Sequence, residues 1–185
     1  MVNQMMNNFG YRLRRIYRIA FDRRNPEQVF WSDLKKYHAE ANFNSGIFEK
    51  EKSIESIFGI GEDRSETYYY QVYDGNFHCR VKVLRGFVPE LTTDIFILAS
   101  HFNNLLNSGV VAVNVDSQYV EYHLKRDLLV PFLYNAEIHS QVNRHYNTSK
   151  DVFFAFQRLK EEQESPAIII ADLLRNIENE EKPTE

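Results

Sequence analysis

Six histidines, one cysteine and 26 carboxylates are the residues of this 185-residue chain with types most suited to catalysis or metal binding. His38, His78, His101, His123, His139 and His145 form neither an HxxxH nor an HExxH pair, the spacing that sets two imidazoles on one helical face to hold a metal. A composite site from His78, His101 and His123 would need separate elements to converge, and the three read as ordinary, partly exposed polar residues. Cys79 alternates with Phe77 and Val81, which puts it on a core-facing row where apolar surroundings leave a thiol unreactive. A single cysteine also rules out an intrachain disulfide. Asp94, Asp116, Asp127 and Asp151 read as a first-turn helix charge, a turn, a loop and a cap. No carboxylate lies within an apolar run, where desolvation would raise its pKa for acid–base work. Gly59 and Gly61 form a GxG with Arg64 standing where a third glycine would be needed, and neither GxxxxGKS/T nor GxSxG occurs. The expectation is a non-enzymatic protein without metal or cofactor.

Aromatic content is the unusual property, with 14 Phe and 11 Tyr among 14% aromatic residues. Tyr68, Tyr69, Tyr70 and Tyr73 cluster with Tyr119 and Tyr122 on two extended segments that also carry Arg80, Lys82 and Arg85. Aromatics interleaved with cations can form a single-strand nucleic-acid platform. The RNA-recognition signature is absent and the formal net charge is −4, so no nucleic-acid partner is expected. Cross-strand packing and a protein interface remain as readings of the tyrosines. The charge is polarised along the chain. Residues 1–25 carry six arginines against the single Asp22, and residues 160–185 carry three basic side chains against eight acidic ones.

These residues must be placed by local elements. Residues 9–24 plot as an amphipathic helix with Phe9, Leu13, Ile16, Tyr17 and Ala20 opposite Arg14, Arg15 and Arg18. Its arginines interrupt every stretch that could serve a secretory signal, so a cytoplasmic protein is expected, although such starts also mark organelle transit peptides. Asn25-Pro26 caps a second helix, to about residue 42, with Val29, Phe30, Leu34, Tyr37 and Ala41 inward. Ile54, Ile57 and Phe58 suggest a short helix broken at Gly59-Ile60-Gly61. Tyr68, Tyr70 and Val72 alternate with Tyr69, Gln71 and Tyr73, then Asp74-Gly75 predicts a two-residue hairpin turn. Beyond it Phe77, Cys79, Val81 and Val83 face one way and His78, Arg80 and Lys82 the other.

After Pro89, Thr92 or Thr93 is the expected cap of a helix with Ile95, Leu98, Ala99, Phe102, Leu105 and Leu106 inward, stopped at Asn107-Ser108-Gly109. A second hairpin runs from Val111 through a turn at Asp116-Ser117 to Leu124, with Val120, Tyr122 and Leu124 on one face. A helix from Pro131 to about Tyr146 is expected to break at Asn147-Thr148-Ser149, where Thr148 and Asp151 form a capping box for the next. Ser165-Pro166 caps a last helix from Ala167 to about Asn176, before an acidic, frayed tail. The expected class is α+β, an antiparallel sheet from two hairpins packed against helices. Its divisions are a basic N-terminal helix (1–25), an α+β domain (26–164) and a C-terminal helix with its tail (165–185).

The order helix, hairpin, helix, hairpin, helix resembles the YbjN-like family, whose fold is shared with class I type III secretion chaperones. Three features carry the likeness: the pair Tyr68–Tyr73 and Phe77–Leu84; Pro89-Glu90 before a helix ending Phe102-Asn103-Asn104-Leu105-Leu106-Asn107; and the valine hairpin 110–124 before a helix with Ile138 and Val142 and, later, Phe153 and Phe156. The pattern covers about residues 26–160, and the two terminal helices lie outside it. The resemblance implies an interaction or regulatory protein, and the chaperone relatives are dimers that bind extended protein segments. On that basis a protein partner is expected at Tyr69, Tyr73, Arg80 and Lys82, with a possible homodimer through the helix 92–107. The alternative is a membrane-surface or assembly adaptor that docks through Arg14, Arg15 and Arg18.

Overall fold

Asn25 starts a helix as the sequence leads one to expect. Its side-chain carbonyl accepts the Glu27 N–H at 2.9 Å and Pro26 takes the first position of helix α1 (Pro26–Glu40). The computed structural model describes Tyr17 and residues 25–61, 64–128 and 138–180. The basic helix 9–24, with Arg14, Arg15 and Arg18, and the segment from Pro131 to the next helix lie outside the described residues; Tyr17 alone is described, helical and exposed.

The class is α+β. Among the described residues a six-stranded antiparallel sheet accompanies four helices. The strands are β1 (Ser45–Phe48), β2 (Ser53–Gly59), β3 (Ser65–Tyr73), β4 (Asn76–Arg85), β5 (Val110–Asn114) and β6 (Tyr119–Asp127), in the order β1-β2-β3-β4-β6-β5. A 3-10 turn (Pro89–Leu91) leads into helix α2 (Thr92–Leu105); helices α3 (Ile138–Glu161) and α4 (Pro166–Glu180) follow β6.

Two compact units make up the chain: Met1–Phe58 with Thr67–Arg80 and Leu124–Tyr146, and Gly59–Glu66 with Val81–His123 and Asn147–Glu185. In the first, Phe30 of α1 lies 4.9 Å from Phe77 between ring centroids, Phe58 lies 5.1 Å from Tyr68, and Tyr68 meets His145 of α3. In the second, Phe102 of α2 stacks near Phe156 of α3, and Val81, Val83, Val120, Tyr122 and Ile169 are buried.

Several expectations need correction. Ile54, Ile57 and Phe58 belong to β2, which pairs with β1 through Ile47↔Ile54 and Ser45↔Ser56. The inward row there is Ile54, Ser56 and Phe58, and its alternation is masked because Ser56 is polar yet fully buried, its hydroxyl 2.8 Å from that of Ser45. Helix α3 runs unbroken through Asn147-Thr148-Ser149. Its buried stripe of Ile138, Val142, His145, Ser149, Val152, Phe156 and Leu159 keeps helical spacing, with two polar members hiding the continuity. In α1, Trp31 and His38 are buried where Tyr37 and Ala41 were expected; the helix ends at Glu40, and His38 Nδ1 lies 2.9 Å from the Leu34 carbonyl one turn earlier. Leu91, not Thr92 or Thr93, precedes α2, without a side-chain cap, because the 3-10 turn already satisfies the entry. Leu105 is exposed. The second hairpin turns over Val115–Gln118, with Gln118 at φ 50, and α4 extends to Glu180.

Glu27 ties three pieces of the first unit together. One carboxylate oxygen accepts from Lys52 Nζ at 2.9 Å and the other from the Gly75 N–H at 2.7 Å. These bonds hold its carboxyl below the ordinary range. Glu27→Ala strips the hairpin N–H and the ammonium of their partner at once, and is expected to cost about 1–3 kcal/mol in urea unfolding. An unchanged midpoint would show that neither bond matters.

Candidate binding face

Strand alternation sorts β2, β3 and β4 of the first unit into two faces. Tyr68, Tyr70, Val72, Phe77 and Cys79 are buried against α1 and α3, while Tyr69, Gln71, Tyr73, His78 and Arg80 point the other way. Phe58 touches Tyr68, so its neighbour Ile57 shares the outer face with Tyr69 and Tyr73. Phe48, paired with Ser53, lies on that face too. Tyr73 is 63% exposed, Ile57 49% and Phe48 44%.

The expected binding residues divide between the units. In the first, the Arg80 guanidinium carbon sits 4.3 Å from the Tyr69 ring centroid. That contact orders both side chains and presents a flat cation-capped ring. Tyr73 stands at the end of the same strand as Tyr69. In the second unit, Lys82 Nζ lies 4.3 Å from the Tyr119 centroid, a partner that strand alternation could not name.

The inner face holds what the histidine spacing did not reveal. His38 is 2% exposed and packs its ring on Tyr37, Phe43 and Tyr70, the last at 5.3 Å. His145 is fully buried against Tyr68 and Tyr70. Burial pushes the His38 pKa down, opposed by its bond to the Leu34 carbonyl. Burial likewise drives the Tyr70 hydroxyl well up, with Cys79, Tyr68 and Tyr37 adding to the shift. The Cys79 thiol is pushed well above its ordinary value by complete burial, with Arg126 pulling weakly the other way. A thiol held in that state is no nucleophile. The signal available in the sequence was the i, i+4 spacing of Leu34 and His38 on the apolar side of α1.

Among the described residues no group of three or more His, Cys, Asp or Glu side chains is placed to hold a metal ion. His101 is exposed, and His123 Nε2 lies 2.8 Å from Glu121. No helix of the described residues is long and apolar enough to cross a membrane. In comparisons with known proteins, no family model matches the chain and no curated protein matches it.

The buried imidazole sets a pH dependence. Its pKa in the folded protein lies below 6.5, so above that value His38 is neutral whether folded or not. Below it the unfolded chain takes up the proton first, and stability is expected to fall by up to about 1.4 kcal/mol per pH unit until the folded pKa is passed. Urea unfolding between about pH 7.5 and 5 measures the slope, which His38→Gln should reduce. An equal slope in the variant would assign the effect to other groups.

Proposed function

We propose that this chain is a non-enzymatic, cytoplasmic protein-binding module, chaperone-like or regulatory. It holds an extended segment of a partner protein against the outer face of β3 and β4 in the first unit, with Tyr69, Tyr73 and Arg80 as contacts. The observation that carries this reading is the exposed group on that face: Tyr73, Ile57 and Phe48, together with Tyr69 under the Arg80 guanidinium. An apolar group exposed on one sheet face and bordered by polar side chains is the usual mark of an interaction surface. Tyrosine supplies a large contact area at low entropic cost, and tyrosine and arginine are enriched among the residues that dominate binding energy at such surfaces. An extended segment presents alternate side chains to a pleated face, the geometry of a strand-like ligand. The resemblance to YbjN-like proteins and to the type III secretion chaperones supports the same class. Lys82 over Tyr119 gives the second unit a cation–aromatic contact of its own.

Three baits test this reading in lysate of the source organism: the full chain, the chain without residues 1–24, and Tyr69→Ala/Arg80→Ala. One protein retained by the first two and reduced by about tenfold or more on the third, with an unchanged thermal midpoint, is the expected result. Retention by the double variant would remove the face from the account. Retention by the full chain alone would move function to Arg14, Arg15 and Arg18, and salt-sensitive binding to anionic vesicles would then make it a membrane adaptor.

A further inference from the structure

In the second unit, β5 lies at one end of the sheet order, and the sequence offers none of the usual protections of such an edge. Val110, Val111, Ala112 and Val113 contain no charge and no proline, and three of the four are valines of high strand propensity. Asn103, in the last turns of α2, supplies what the strand lacks. Its Oδ1 accepts the Val111 N–H at 2.7 Å and its Nδ2 donates to the Val111 carbonyl at 3.0 Å. One carboxamide thus makes both ladder bonds that a residue of an added antiparallel strand would make.

The direction of those bonds fixes the rest of the edge. β5 pairs with β6 through Val111↔Tyr122 and Val113↔Val120. In an antiparallel ladder the N–H and C=O of one residue point to the same side and alternate along the strand. Val111 spends its pair on Asn103, away from β6, so Val113 presents its own to the outside and Val110, Ala112 and Asn114 serve β6. A second copy of β5 related by a two-fold axis at Ala112 would pair Val111 with the other copy's Val113, and the reverse. Every bond of that ladder needs a Val111 from one copy or the other. Closing this one residue therefore closes the whole two-fold register.

We propose that Asn103 is an edge plug: its carboxamide occupies the place of an added strand and keeps β5 from pairing with β5 of a second copy of this chain in the Val111–Val113 register. This goes beyond the partner-binding reading and does not depend on it, since it concerns another strand and another unit. Helix α2, from which dimer contacts are expected, carries this plug near its C-terminal end.

Sedimentation velocity over a range of concentrations tests the plug with Asn103→Ala. The variant is expected to self-associate about tenfold or more tightly than the natural chain, which stays monomeric over the same range. Adding Val113→Pro removes an N–H that faces outward, so it spares the β6 ladder and should return the protein to a monomer. A folded Asn103→Ala that remains monomeric overturns the proposal, as does a dimer that survives Val113→Pro. Should Asn103→Ala not fold, hydrogen exchange on the natural chain decides. Slow exchange at Val111 beside fast exchange at Val113 supports the plug, and equally fast exchange at both overturns it.

Discussion

Everything placed on the two faces of the first unit depends on the turn at Asp74-Gly75. Both residues are left-handed, at φ 50 and φ 68, so the hairpin closes in two residues with a twist that matches its strands. A slip of one residue would carry Tyr68, Tyr70 and Val72 to the outside and bring Tyr69, Gln71 and Tyr73 in. Glu27 holds the turn from outside the hairpin by accepting the Gly75 N–H, and Leu128 donates to the Gly75 carbonyl at 2.9 Å. A local backbone choice is thereby locked by residues distant in sequence.

The face so defined accepts an unusual core. His145 packs edge to face on Tyr68 and Tyr70, and His38 lies tilted against Tyr70, which favours aromatic contact over simple apolar filling. The cost is polar. His38 Nε2 and the Tyr70 hydroxyl are buried without a hydrogen-bond partner among the described residues. Such atoms penalise any rearrangement that would charge them, so the pocket is selective for the neutral forms. The opposite face spends its aromatics differently, with Arg80 over Tyr69 and with Tyr73 left exposed.

Where the hydrophobic pattern was clean, the sequence was sufficient. The hairpin of β3 and β4, the Asn25-Pro26 start of α1, the stop before Gly109 and the Ser165-Pro166 start of α4 were all legible. Gly109, between the end of α2 and β5, is required there for a different reason: at φ 86, an added Cβ would lie 2.5 Å from the Tyr122 hydroxyl and 2.6 Å from the His123 carbonyl of β6. Legibility failed wherever a polar residue was buried. Ser56 concealed β2, and His145 and Ser149 made one long helix look like two. The direction of Tyr69, Tyr73 and Arg80 followed from alternation. The contact of Arg80 with Tyr69, and the side-chain closure of Val111 by Asn103, required the packing of separate elements that no single-strand pattern encodes.

The outer face of β3 is the surface on which the functional account stands, and position 73 reports on it most directly. A photo-crosslinking amino acid placed there should capture a partner in cell extract, while the same group at Lys36, on the exposed side of α1, should not. One adduct is expected at position 73, diminished when Tyr69 and Arg80 are both replaced by alanine. An adduct of equal yield at position 36, or one at position 73 that ignores the double replacement, would contradict it.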